Sequence, residues 1–209
     1  GEYNCHNCGW KGNVRAYERK RENKKYEKPP QDVLKSIERK EKTIEYFKKR
    51  GISEKTLEKF LIFNKEEWMP QTQQKENCIC FPYFRDGEMI NVKYRDAKKN
   101  FKLVKDAELI FYNLSAIGER KSVIIVEGEI DCLSVYESGY GVDRDVNEET
   151  GELLNPIFSE IVPISVPNGA SKGNQRMEFL DNCSDYFIGL HDIIIATDND
   201  EAGKMLKDE

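Results

Sequence analysis

Two short apolar runs in the second half of the chain end abruptly on carboxylates. Ser122 to Val126 reads SVIIV and is followed at once by Glu127-Gly128-Glu129-Ile130-Asp131. Asp192 to Ala196 reads DIIIA, and Thr197 leads into Asp198-Asn199-Asp200, with Glu201-Ala202-Gly203 opening a helix-like stretch. Runs this short and rich in β-branched residues form strands buried on both faces. A third run, EIVPISVPNGA, lies between them, and helical segments follow, which is the alternation of a parallel sheet covered by helices. In open α/β sheets ligands sit beyond the carboxyl ends of the strands. Parallel pairing would therefore bring Glu127, Asp198 and Asp200 together at one sheet end. Such a cluster repels itself unless it binds cations, and oxygen-only donors select Mg²⁺ or Mn²⁺ and, with them, a phosphorylated substrate. The plain alternative for each acid is an N-cap or a solvated loop residue.

The first half is organised differently. GEYNCHNCGWKG contains the tight pair Cys5-x-x-Cys8, and Arg15 to Lys28 is a basic linker or exposed helix ended by Pro29-Pro30. From Val33 to Phe63 apolar residues recur at helical spacing, with Gly51 as a stop and Ser53 as a cap, so two or three short helices are expected. CICFPYF, Asp86-Gly87 and MINVKYR form a hairpin pattern, and a further strand is expected at about Phe101 to Val104. The acid-rich stretch GVDRDVNEETGELLNP, about 141–157, reads as an insertion between core elements.

Charged residues make up 34% of the chain against 38% hydrophobic, and the formal net charge of −5 excludes a protein that coats nucleic acid by bulk charge. No apolar run reaches the ~18–20 residues of a membrane span, and no signal peptide opens the chain. A cytoplasmic protein with reduced thiols is expected. Opening on Gly1 and breaking off in a charged helical stretch, the sequence reads as a fragment of a longer polypeptide. The loop VPNGASKGN lacks the GxxxxGK[ST] spacing of a phosphate loop, so no helicase motor is expected in this segment.

EGEID after a hydrophobic strand, and DND followed by EAG, resemble the Toprim domain, whose signature is a glutamate in the first motif and Asp-x-Asp in the second. The upstream CHNCGWKG, the segment FPYFRDGEMINVKYRD with KNFKL, and VPNGA are similar to the primase half of phage primase-helicases and the related mitochondrial helicase Twinkle. This resemblance spans most of residues 40–209 and implies an α/β fold in three parts. These are a partial zinc knuckle and basic linker over 1–30, a helical and antiparallel-sheet subdomain over 31–120, and a Toprim parallel sheet over 121–209, truncated before a later acidic motif.

The resemblance implies that Glu127 is a metal ligand or acid/base group, that Asp198 and Asp200 are metal ligands, and that Asp131 is a supporting carboxylate. The role of Glu129 is less defined. Lys93, Arg95 and Lys102 are pointed at template or nucleotide phosphates, with solvated surface as the alternative. Cys5 and Cys8 supply half of a zinc site completed upstream in the full-length parent. Cys78, Cys80, Cys132 and Cys183 read as core. Tyr83, Phe84, Tyr94 and Phe101 could stack bases but fit a hairpin core better.

The implied function is template-directed synthesis of RNA primers from ribonucleoside triphosphates on single-stranded DNA, with Mg²⁺ or Mn²⁺ and a helicase domain in the same parent chain. The alternatives are a Toprim-type metal-dependent nuclease and a non-catalytic module that binds single-stranded DNA for an attached helicase.

Overall fold

The computed structural model of the 209-residue chain describes residues 2–4, 11–13, 24–140, 160–169 and 177–208. Strands β1 (Glu2–Asn4) and β2 (Lys11–Asn13) pair antiparallel. Cys5, Cys8 and the insertion at 141–157 lie outside the described residues, so the expectations placed on them stand as stated.

After Pro29-Pro30 a 3-10 turn (Gln31–Ser36) leads to α1 (Glu41–Lys48) and α2 (Glu54–Lys59). Gly51 separates these helices at φ +75°, a left-handed conformation that glycine adopts without strain. The Ser53 hydroxyl accepts from the Thr56 N–H and caps α2. Glu137, from the far half of the molecule, reinforces this helix start. Its carboxylate accepts from the Ser53 N–H at 2.9 Å, the Ser53 hydroxyl at 3.0 Å and the Thr56 hydroxyl at 2.5 Å.

Four antiparallel strands follow in spatial order β3 (Phe63–Met69), β4 (Gln74–Arg85), β5 (Glu88–Arg95) and β6 (Phe101–Leu103). The β4–β5 hairpin closes through Asp86-Gly87, both at positive φ, as a two-residue turn between right-twisted strands demands. Strand β3 escapes sequence reading because FNKEEWM is largely polar. It forms because its partner β4 is long and its first and last residues, Phe63 and Met69, are buried.

Alternation sorts the side chains of this sheet onto two faces. Phe63, Cys78, Cys80, Val92 and Tyr94 build a small apolar cluster covered by Val33, Leu34 and Ile37. The other face sends Ile79, Phe81 and Tyr83 into a larger core shared with α1, α2 and the second sheet. Each large side chain buried there contributes roughly 1.5–3 kcal/mol, and edge-to-face contacts of Phe81 with Phe47 and Tyr112 join the layers.

The second sheet is parallel, in the order β8-β7-β9, from β7 (Ser122–Val126), β8 (Ile161–Ser165) and β9 (Asp192–Ala196). Helix α3 (Glu129–Glu137) follows β7, α4 (Glu178–Asn182) follows β8, and α5 (Glu201–Asp208) follows β9. Pro163 is tolerated in β8 because this strand lies at an edge of the three. The expectation that all three runs are buried fails for β9, where Ile193 and Ile195 remain 50% and 47% exposed. As the other edge strand, it has a neighbour on one side only. Cys78, Cys80, Cys132 and Cys183 are free and buried, in agreement with their reading as core. Among the described residues no helix is long and apolar enough to cross a membrane.

Candidate active site

The parallel register sets Val126 beside Ala196, so β7 and β9 release their chains at the same sheet end. Glu127 emerges directly and Asp198 one residue after Thr197. Although 71 residues apart in sequence, Glu127 Oε1 accepts the Asp198 N–H at 2.7 Å. Asp200 accepts the Gly203 N–H through Oδ1 at 2.8 Å, and its carbonyl accepts the Lys204 N–H at 3.1 Å. Asp200 is therefore the N-cap of α5, the role the plain alternative gives it. Asp131 stands in the first turn of α3.

Electrostatics ties these four acids together. Partial burial raises the Glu127 carboxyl above its usual range; the Asp198 N–H pulls it down, while the charges of Asp198, Asp200 and Asp131 push it up. Loss of water against the surrounding protein raises Asp131, and the charges of Asp198 and Glu129 raise it further, against a lowering backbone hydrogen bond from Gly128. Like charges gathered in one place disfavour ionisation. Hard oxygen donors in mutual repulsion are a set that a divalent cation relieves. As they stand, Glu127 and Asp200 spend oxygens on backbone donors, and among the described residues no three His, Cys, Asp or Glu side chains converge to hold a metal ion.

Gly203 makes this approach possible. A Cβ there would run into the Asp198 carbonyl oxygen and Glu127 Oε1, and would lie 2.9 Å from the Asp198 carbonyl carbon. No side chain fits. The sequence carries a signal for this, since a glycine inside a helix costs about 1 kcal/mol relative to alanine and usually marks a close approach.

Glu129 takes a different part from its neighbours. It is 4% exposed and faces the antiparallel sheet, accepting from Lys93 Nζ at 2.8 and 3.0 Å and from the Tyr83 hydroxyl. This buried group ties β4 and β5 to the start of α3, two residues from Glu127. Burial first, then the Glu129 charge, raises the Tyr83 hydroxyl far above its usual range and keeps it a donor.

The basic residues separate. Lys93 and Arg95 share the sheet face toward the parallel sheet, while Lys102 points the other way and pairs with Glu67 at 2.7 Å. Lys93 and Arg95 are buried, so a solvated-surface reading does not describe them. Tyr83 and Tyr94 are core, as expected, whereas Phe101 is 45% exposed.

No protein-family model matches the chain. It is 33% identical over 165 residues to the primase homolog protein of Arabidopsis thaliana, a match covering 79% of this chain and 44% of that protein. It is also 33% identical over 176 residues to the chloroplastic/mitochondrial Twinkle homolog protein of the same plant, covering 79% and 21%. The chain thus spans less than half the length of the curated relatives it matches. Among solved structures, the primase fragment of the bacteriophage T7 primase-helicase superposes with a TM-score of 0.53 at 23% identity, covering 78% of this chain and 57% of that one. Sequence similarity to the two plant proteins and likeness of fold to the phage fragment agree, and the chain carries a primase-type fold, with a four-stranded antiparallel sheet followed by a three-stranded parallel sheet.

Proposed function

We propose that this chain is the catalytic core of a DNA primase, joining ribonucleoside triphosphates into a primer on a single-stranded DNA template. The observation that carries the reading is the contact of Glu127 with the Asp198 backbone, which gathers the acids of two separate strands at one sheet end. Acids alone would repel a nucleic acid; acids with bound cations attract its phosphates.

Glu127, Asp198 and Asp200 would hold Mg²⁺ or Mn²⁺, with Asp131 in support. Bound cations supply charge neutralisation of the triphosphate and of the departing pyrophosphate. The chain's own residues do the rest. Gly203 keeps Asp198 against Glu127, Glu129 fixes the ammonium of Lys93, and Arg95 offers a guanidinium to a phosphate. Lys102, held by Glu67 on the opposite face, contributes to folding of the sheet and drops out of the phosphate-binding set. Cys5 and Cys8 are half of a zinc site in a longer parent, in which a helicase segment accompanies this core.

The test is incubation of the parent chain with single-stranded DNA, labelled ribonucleotides and Mg²⁺ or Mn²⁺. Alkali-sensitive labelled oligonucleotides are expected. Shortened DNA without ribonucleotide incorporation would assign the same acids to a nuclease, and neither product would leave a binding module.

A further inference from the structure

Tyr112 is 1% exposed, yet its hydroxyl has no hydrogen-bond partner among the described residues. The hydroxyl is not what holds the ring. Backbone hydrogen bonds between Tyr112 and Ser165, at 2.9 and 3.3 Å, fix the chain here. The ring packs against Phe60, Phe81 and Tyr83, with centroids 5.8, 6.3 and 5.1 Å away. Phenylalanine would fill the same space, and a buried hydroxyl without a partner is costly. The fold at rest therefore gives no reason for the oxygen.

The neighbouring network does. Tyr83, whose ring meets that of Tyr112 at a steep angle, donates to Glu129 Oε1, and Lys93 Nζ donates to Oε1 at 2.8 Å and to Oε2 at 3.0 Å. Oε1 thus has two donors, while Oε2 has the ammonium alone and can accept one more. Burial first, then the nearby Cys132 and Glu129 groups, holds the Tyr112 hydroxyl far above its usual range, so it stays a donor. Lys93 carries a compact ammonium on a flexible stem. Its departure would strand a buried carboxylate on one neutral donor, the costly way to break a buried pair.

We propose that Tyr112 is a positioning residue that takes over Glu129 when a nucleoside triphosphate draws Lys93 away. At rest Glu129 holds the ammonium; with a triphosphate at the acidic sheet end, the ammonium turns to a phosphate oxygen and the Tyr112 hydroxyl donates to Oε2. No proton changes hands, since Lys93 remains an ammonium and both tyrosines remain phenols. Glu129 follows Glu127 by two residues at the start of α3, so metal and triphosphate held there shift this helix start and bring Oε2 to the hydroxyl. The exchange belongs to the nucleotide-loaded state. It deepens the primase reading and rests on that reading for the triphosphate that attracts Lys93.

Titration calorimetry of the full chain with ATP in the presence of Mn²⁺, beside Mn²⁺ alone, tests it. Tyr112→Phe is expected to bind ATP about tenfold more weakly, the worth of one hydrogen bond to a charged group. Its affinity for Mn²⁺ alone and its urea midpoint should stay at or above wild type. In Glu129→Gln no carboxylate is stranded, and adding Tyr112→Phe should leave ATP affinity unchanged; the single Tyr112→Phe variant decides the matter if Glu129→Gln does not fold. Wild-type ATP affinity in Tyr112→Phe would overturn the exchange, as would a lowered urea midpoint with an equal loss of affinity for Mn²⁺ alone, which would make the hydroxyl a structural donor. Primer yield separates the two readings. Unchanged ATP affinity in Tyr112→Phe, in a chain that makes primers, would discard the exchange and keep the polymerase. Weakened ATP binding in Tyr112→Phe, where the wild-type chain makes no primers, would keep the exchange and refute the polymerase. A wild-type chain that does not bind ATP would overturn both.

Discussion

Replacing Lys93 by methionine removes the ammonium that meets both oxygens of Glu129 at 2.8 and 3.0 Å. The two side chains are 9% and 4% exposed, so water cannot take the place of the lost partner. Glu129 would be left as a buried carboxylate with the Tyr83 hydroxyl alone. Breaking one side of a buried pair typically costs about 3–5 kcal/mol, a large part of the ~5–15 kcal/mol that holds a domain folded. Glu129→Gln strands the ammonium instead and should cost a similar amount. The double variant Lys93→Met/Glu129→Gln carries no buried charge, and its amide still accepts from Tyr83. Its loss should fall short of the sum of the single losses by about 2–3 kcal/mol, the upper range for coupled neighbours. Urea unfolding followed by circular dichroism measures this cycle, with a constant m-value as the check that the unfolded state is unchanged. Additivity within about 0.5 kcal/mol would refute the account of Glu129 as the brace between the two sheets.

Gly203→Ala forces a methyl into the Asp198 backbone carbonyl, a cost of about 1–3 kcal/mol or more that exceeds the ~1 kcal/mol gained in helix propensity; stability should fall and Mn²⁺ affinity drop with it, and unchanged affinity in a calorimetric titration would contradict the close-approach argument. Asp200→Asn keeps a capping side chain at the start of α5, so the metal-free thermal midpoint should hold or rise as metal affinity falls; a lowered midpoint with intact metal binding would make Asp200 a structural cap only. Burial alone would raise the Glu137 carboxyl, but hydrogen bonds from Thr56 and Ser53 hold it below its usual value. Its stabilisation is therefore complete above the unfolded value of about 4.3 and is lost as pH falls through the lower folded value. Glu137→Gln should cost about 1–3 kcal/mol at pH 7 and progressively less below about pH 4, and a pH-independent difference in urea midpoint would remove the charge from the explanation.

The parallel sheet was legible because its strands are pure local signals, β-branched runs that stop on acids, and Asp86-Gly87 marked the hairpin in the same way. Strand β3 was not, since its stability comes from pairing with β4 rather than from FNKEEWM itself. The gathering of Glu127 and Asp198 could be anticipated from strand topology alone. The division of labour within EGEID could not, because Glu127 and Glu129 differ only in which sheet they face. Nor does the alternation in NVKYRDAKKNFKL disclose that Lys93 and Arg95 lie under the parallel-sheet side while Lys102 turns to Glu67; that depends on where α1, α2 and the second sheet pack.

The central claim is that the acids at the ends of β7 and β9 act together through bound cations to join nucleotides. Mn²⁺ affinity and primer yield, measured on the same preparations of the wild-type parent chain and Asp198→Asn, test it most directly. Asn keeps the backbone N–H that meets Glu127 and nearly the same side-chain shape, so folding and single-strand binding should persist. Mn²⁺ affinity should fall by about tenfold or more, equivalent to 1.4 kcal/mol, and labelled primers should disappear. Wild-type metal affinity together with wild-type primer yield in Asp198→Asn would contradict the account.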